Sequence, residues 1–484
     1  MPQHDLVIRN ARLADGSGAP LLEGDLAVDG DRIAALGNVP GAGKRTIDAQ
    51  GRVLSPGFID VHTHDDFAAI LHPDMSFKTA GGVTTCVVGN CGFGAAPWAE
   101  AVRMGQSFVD GGALPQWEGY GGYLAHLERH APGANIAALV GHGTVRAAVM
   151  GKKQGAPDAA EMKRMKAFVQ EGLDAGCVGL STGLIYEPGR HAKTDEVVEL
   201  AALMKGTGAL YATHMRNESQ GLLDSVNEAV EIGRRAGVPV QISHHKASGR
   251  PAWGLVKDSL ALIEAAQKKG LDVHADQYPY TAGSTVLSAV IADGRLNDGL
   301  GRLTPEDVVI ASSAGHAHWE GSTLAALAQE MALDPMDAAR RVLEAQPGTT
   351  VVLHMMDEAD VQTVMRHPST MIGSDGLPTL SGRPHPRLYG TFARVLGRYC
   401  RDLALFPLEE AVYRMTGFPA AKFRLHERGL LKPGFFADLV LFDAKTVIDV
   451  GTYEDPNRMP AGIAHVFVNG VEVAADGRGT GARP

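Results

Sequence analysis

No run in this sequence approaches the ~20 apolar residues needed to cross a bilayer. The first residues, Met1-Pro-Gln-His-Asp5, lack the basic and then apolar regions of a secretory leader. Cysteine is scarce: Cys86, Cys91, Cys177 and Cys400 are the four in 484 residues, too few and too scattered for a disulfide framework. Together these absences give the expectation of a cytoplasmic protein with no membrane partner, whose thiols stay free to bind metal. Positive charge is also short. With 45 Lys and Arg against 55 Asp and Glu, the formal net charge is −10, which argues against a nucleic-acid partner. A local basic pocket for a small anion is still compatible with that balance. There is no internal repeat and no low-complexity tract.

What is present is ordinary globular material, 45% hydrophobic and 21% charged, long enough for a large barrel and a smaller domain. Both ends read as short strands with turns. At the start these are Asp5-Leu-Val-Ile-Arg9, the turn Asp15-Gly-Ser-Gly18 and a hairpin folded about Asp29-Gly-Asp31. At the end they are Ala437-Asp-Leu-Val-Leu-Phe442 and His465-Val-Phe-Val-Asn-Gly470. A small β-sandwich domain built from both termini, 1–54 and 418–484, follows from that reading. Between them, apolar runs at 58–62, 82–90, 135–142, 177–183, 209–215, 238–245, 271–279 and 369–376 alternate with amphipathic helices. Three such helices are 158–174, with Asp158 and Glu161 at cap spacing, 219–235, and 256–269 closed by Gly270. The pattern predicts an α/β fold, a parallel (β/α)8 TIM-like barrel over 55–417. Residues 285–345 read as a helical insertion before the last barrel strand, and Thr350-Val-Val-Leu-His354 is a second candidate for that strand.

Active sites of such barrels lie at the C-terminal ends of the strands. The polar residues there are His62 and His64, Cys91, His142, Ser181 and Thr182, His214, His244 and His245, Tyr278 and Asp375. Histidines two apart on a strand share a face, so His62 and His64 can hold one ion. An isolated His-x-His is more often simply hydrogen-bonded, and so is a lone His214 or His244. Repetition at neighbouring strand ends is what points these imidazoles at a common ion. His245 faces the other way and reads as packing or support. A free cysteine is usually a small buried hydrophobe, which suits Cys86, Cys177 and Cys400. Cys91, in a glycine-flanked loop level with the histidines, is a candidate thiolate ligand, and imidazole with thiolate favours zinc. Asp375-Gly376 would otherwise be a turn; at a strand end it is a candidate proton carrier for a hydrolase.

The chain resembles the amidohydrolase superfamily, and within it the D-aminoacylases (N-acyl-D-amino-acid deacylases). The resemblance runs nearly end to end through Ser55-Pro-Gly-Phe-Ile-Asp-Val-His-Thr-His-Asp-Asp66, Gly82-Val-Thr-Thr85, Gly89-Asn-Cys-Gly92 and Gly141-His-Gly-Thr-Val-Arg146. It continues through Tyr211-Ala-Thr-His-Met-Arg216, Ile242-Ser-His-His-Lys246, Tyr278-Pro-Tyr280, Gly373-Ser-Asp-Gly376 and His385-Pro-Arg387. The resemblance implies a tight zinc held by Cys91, His214 and His244, with His62 and His64 framing a second, weaker position that shares Cys91. It implies hydrolysis of a small-molecule N-acyl-D-amino acid by a metal-activated water, with Asp375 as general base and then acid. Lys246, Tyr278 and Arg387 would bind the substrate's α-carboxylate, and Tyr186 would polarise the scissile carbonyl. Arg383 competes with Arg387 for that grip in a loop of variable length. The oligomeric state is left open, a monomer being sufficient.

A cyclic-amide hydrolase of the hydantoinase or dihydroorotase kind would share the barrel and His62/His64. It would also carry a bridging lysine on the fourth strand, and Gly179-Leu-Ser-Thr-Gly183 has none. A non-catalytic barrel scaffold would have lost its metal ligands.

Overall fold

A computed structural model describes residues 4–106, 112–292 and 294–484. The expectation about a leader therefore falls partly on residues 1–3, outside the described residues.

Eight parallel strands form the barrel: Phe58–Asp60, Val83–Val88, Asn135–Gly141, Gly179–Gly183, Leu210–His214, Val240–Ile242, Val273–Gln277 and Thr370–Ile372. They neighbour one another in chain order. A parallel bridge between Thr63 and Gly376 joins the first strand's exit to the last's. Every apolar run expected as a barrel strand contains one of these. Their β-branched and aliphatic side chains are buried on both faces, as a sheet wrapped in helices requires. The three expected helices are present as Ala159–Asp174, Leu222–Ala236 and Val256–Lys268. At the first, Asp158 and Glu161 close a reciprocal capping box, satisfying amides that would otherwise be orphaned.

The two termini meet in one nine-stranded sheet. Val53–Pro56 pairs antiparallel with Leu439–Phe442, which stitches the N-terminal strands to the C-terminal ones. The hairpin expected about Asp29-Gly-Asp31 forms with Asp29 pairing with Arg32 across Gly30-Asp31, and Gly30 takes the positive φ of 58° that such a turn needs. Leu6, Ile8, Leu26, Leu439, Leu441 and Phe467 form part of this sheet's own apolar core. Only Gly57 separates Val53–Pro56 from the first barrel strand, so the β domain directly anchors the strand carrying His62.

The insertion before the last strand differs from a purely helical one. Helices Leu324–Met331 and Pro335–Ala345 lie beside a three-stranded antiparallel sheet of Ala282–Val286, Thr350–His354 and Val308–Ser312. Thr350–His354 is the central strand of that sheet and takes no part in the barrel. Its partner strands are short and far apart in sequence, which hides the sheet from local periodicity. Among the described residues no helix is long and apolar enough to cross a membrane.

Candidate metal centre

Strand exits deliver the polar residues to one buried point. The first strand runs into His62 and His64, whose rings lie 5.6 Å apart. The second ends at Val88 and the chain turns sharply through Cys91, which holds a left-handed φ of 55°. Such a conformation costs a non-glycine residue on the order of 1–3 kcal/mol, and it persists only where the surroundings enforce it. Here Ser181 of the fourth strand accepts the Gly92 amide at 3.0 Å and donates to Gly89 O. The turn lies so close to the fourth strand's end that a Cβ on Gly183 would sit 2.1 Å from Cys91 O. His214 closes the fifth strand. His244 follows the sixth with φ 34°, its amide donating to Asp276 Oδ1 at 2.8 Å. Asp375, after the last strand, is again left-handed with φ 52°.

Cys91 Sγ is the hub. It lies 3.3 Å from His62 Nε2, 3.6 Å from His214 Nδ1 and 3.6 Å from His244 Nε2. Zinc bonds of about 2.3 Å to sulfur and about 2.05 Å to nitrogen, at a tetrahedral angle, separate the two ligand atoms by about 3.5 Å. Cys91, His214 and His244 therefore have both the donor chemistry and the spacing for zinc. His62, His64, Cys91 and Asp375 form a second cluster with ligand atoms equally close together. The electrostatics agree. Burial would raise the Cys91 thiol, but His62 and hydrogen bonds from His214, His244 and His62 hold it well below its ordinary range. Burial would lower His64, yet Asp375 and Cys91 push it up to about 9. The cluster draws in positive charge.

Asp375 faces both ways. Its Oδ1 is 3.3 Å from His64 Nε2 and 3.5 Å from His62 Nε2, while Oδ2 pairs with Arg387 Nη2 at 2.9 Å. Burial favours its protonated form, but Arg387, His244 and His62 hold the carboxyl well below the usual carboxylate range. Arg387 is itself buried. It donates from Nη2 to Ser284 O at 3.0 Å, lies 4.5 Å from the Tyr278 ring centre, and has no hydrogen bond at Nε or Nη1 among the described residues. Arg383 is exposed beside Gly321, away from this centre. Tyr278 donates to Met356 Sδ at 3.4 Å. Lys246 is buried, with Nζ 2.8 Å from each oxygen of Glu218. The Tyr186 ring is 4.6 Å from that of His214.

A cavity of about 620 Å³ opens above this point. His64, Cys91, Tyr186 and Asp375 line its metal end, and Val286, Ile291 and other insertion residues line a neutral wall. The remaining strand-end residues serve elsewhere. His142 pairs with Glu196 at 2.9 Å, Thr182 bonds to Tyr211 and Thr213, and His245 bonds to Ser259 at 2.8 Å.

Three buried charged residues packed around the candidate centre and the seam beneath it escaped the sequence reading. Glu218 stands four residues after His214, a spacing that was visible. Asp276 lies in an apolar strand, with Oδ1 3.4 Å from His62 Nδ1. Lys78 bonds to Asp60, Thr63 and Ser374, tying the first strand to the last. Only Asp276 carried a usable signal beyond spacing, a charge in the middle of a buried strand.

A model of the amidohydrolase family matches residues 45–474. The chain belongs to the amidohydrolase family. Among its relatives is a D-aminoacylase of Alcaligenes xylosoxydans xylosoxydans, 44% identical over 97% of this amidohydrolase and 94% of the relative. The crystal structure of N-acyl-D-glutamate deacylase from Bordetella bronchiseptica, complexed with zinc and a phosphonate mimic of the tetrahedral intermediate, superposes with TM-score 0.90. It is 41% identical and the match covers 99% of this chain and 98% of that one. L-hydantoinase from Arthrobacter aurescens, at 18% identity and TM-score 0.55 over 99% and 97% of the two chains, shares the fold alone.

Proposed function

We propose that this amidohydrolase hydrolyses the amide of N-acyl-D-amino acids to a carboxylate and a free D-amino acid, with zinc as its cofactor. The observation that carries this reading is Cys91 Sγ at 3.6 Å from both His214 Nδ1 and His244 Nε2, beside a cavity that Asp375 also faces. Relatedness over nearly the whole chain to D-aminoacylase and to N-acyl-D-glutamate deacylase supports the substrate class.

Cys91, His214 and His244 hold the tight ion, and His62 and His64 frame the weaker position. Zinc supplies Lewis acidity and makes a nucleophile available from water at neutral pH. Asp375 takes the proton from water at Oδ1 and returns it to the leaving nitrogen; Arg387 keeps it ionised and oriented through Oδ2. Arg387, Tyr278 and Lys246 are assigned to the substrate's α-carboxylate, where a planar guanidinium suits a planar anion. Tyr186, at the cavity wall, turns its hydroxyl to the scissile carbonyl. Holding the carboxylate fixes the amide relative to Asp375, and such positioning can supply several kcal/mol. The catalytic unit is the barrel over 55–417, with 1–54 and 418–484 as its β domain.

The test is a hydrolysis panel of N-acetyl-D and N-acetyl-L amino acids, with and without chelator. Turnover of D but not L substrates, lost on zinc removal and restored by zinc, is expected. Faster L turnover refutes the substrate class, and activity in zinc-free protein refutes the cofactor.

A further inference from the structure

The two histidines beside Cys91 present opposite ring nitrogens to it, Nδ1 for His214 and Nε2 for His244. A neutral imidazole has one N–H and one lone pair, so a ring that gives its lone pair to a metal must carry the proton on its other nitrogen. That other nitrogen then needs an acceptor. For both rings the structure offers the same one. Glu218 Oε2 is 3.4 Å from His214 Nε2, and Glu218 Oε1 is 3.1 Å from His244 Nδ1.

Resting on the metal reading above, we propose that Glu218 is the positioning residue of the tight metal site, one buried carboxylate that orients both His214 and His244, with Lys246 as its counter-ion. Glu218 is fully buried, and an isolated carboxylate there would be costly without a partner. Lys246 answers that cost from 2.8 Å at both oxygens. The main chain fixes the carboxylate's origin: the Glu218 amide donates to Gly299 O at 3.1 Å, and its carbonyl accepts from Ser248 N at 2.7 Å. Gly299 belongs to the insertion and Ser248 to the loop after the sixth strand, so both are tied to the histidine pair through this residue.

Lys246 makes the choice of ring proton explicit. Its Nζ is also 2.9 Å from His244 Nδ1. An ammonium only donates, so it suits a ring whose proton is on Nε2. The carboxylate only accepts, so it suits a ring whose proton is on Nδ1. Only the second ring directs a lone pair from Nε2 toward Cys91. Glu218 thus selects the ligating form, and it draws Lys246 onto its own oxygens.

The test is Glu218→Gln, nearly isosteric, which keeps a single oxygen acceptor and removes the charge. Zinc affinity, measured by competition with a chromophoric chelator, should fall about 10- to 100-fold, as for other carboxylates that hold ligating histidines. In the cobalt-substituted protein the thiolate charge-transfer band should survive, because Cys91 is untouched, while the ligand-field bands shift. Glu218→Asp, which keeps the charge at shorter reach, should recover part of the affinity. Circular dichroism reports folding separately. A Gln variant with zinc affinity within threefold of the unaltered protein overturns the proposal. So does loss of zinc only in step with loss of fold, with the cobalt spectrum unchanged. Failure of the unaltered protein to bind zinc overturns the metal reading along with it. Tight zinc without deacylase turnover overturns the substrate reading alone.

Discussion

Arg387 offers the sharpest division between two roles that the geometry brings together. Its Nη2 pairs with Asp375 Oδ2 at 2.9 Å, while Nε and Nη1 carry no hydrogen bond among the described residues. If those two nitrogens serve the substrate's α-carboxylate, each charge-assisted hydrogen bond contributes about 1.5–3 kcal/mol. Two of them contribute about 3–6 kcal/mol, or about 10²- to 10⁴-fold in kcat/KM at 1.4 kcal/mol per decade. Arg387→Met removes that grip and also leaves Asp375 without its partner, so a fall in rate alone decides nothing. The decisive assay compares N-acetyl-D-leucine with N-acetyl-D-leucinamide, which lacks the anion. The unaltered enzyme should prefer the acid strongly. In Arg387→Met the acid should lose the full factor and the amide far less, so that the preference collapses. Arg387→Lys should fall between, since an ammonium cannot reach Asp375, Ser284 O and a substrate carboxylate at once. An equal loss for acid and amide would refute the reasoning and confine Arg387 to holding Asp375.

Three further outcomes follow from the same geometry. Cys91→Ser should abolish tight zinc binding, read by metal analysis after dialysis, because the hub of all three imidazole contacts loses its thiolate. Asp375→Asn should lower kcat by about 10²- to 10⁴-fold while zinc content stays near that of the unaltered protein; a smaller loss removes Asp375 as the proton carrier. Ile185, Val286, Ala289, Ile291 and Leu377 make one side of the cavity apolar, while on its other side Arg103, Lys153 and Arg190 pair with Glu100, Glu161 and Glu187 and Lys152 is exposed to solvent. A side chain packed on the apolar side gains from burial where a carboxylate pays desolvation, so N-acetyl-D-leucine should exceed N-acetyl-D-glutamate in kcat/KM by about tenfold or more, equivalent to at least ~1.4 kcal/mol. The reverse order would seat the substrate side chain against the cavity's cationic side rather than its apolar one.

The barrel was legible because its strands are short apolar runs bounded by turn or cap residues and recur in alternation with amphipathic helices; the run alone is ambiguous, as Thr350–His354 shows. The candidate metal cluster was legible for a related reason. Of the polar residues that end apolar runs, six converge at one point, while His142, Thr182 and His245 bond elsewhere. Glu218 and Lys78 were not legible, because their work is done across space, on partners from other strands. The insertion's sheet was hidden in the same way, since Thr350–His354 finds its neighbours at Ala282–Val286 and Val308–Ser312. Sequence spacing shows which residues can share a strand face. It does not show which carboxylate will sit behind which histidine.

The seam between the first and last strands explains why His62, His64 and Asp375 are so dependable as a group. The Asp375 amide donates to His62 O at 2.6 Å, and the His64 amide donates to Gly376 O at 3.1 Å. Beneath them Lys78 bonds at 2.8–2.9 Å to Asp60, Thr63 and Ser374, so one buried ammonium holds both strand ends. The backbone contacts of this seam join residues more than 300 positions apart, and they are also what closes the barrel. A chain that failed to close would place Asp375 nowhere near His62; once closed, it has little freedom to place it elsewhere. The left-handed backbone at Asp375 is the local cost of that register, on the order of 1–3 kcal/mol, and the seam's hydrogen bonds offset it. Assembly of Asp375 against the first-strand histidines is therefore a consequence of barrel closure, and any substitution that loosens the seam should impair catalysis before it unfolds the protein.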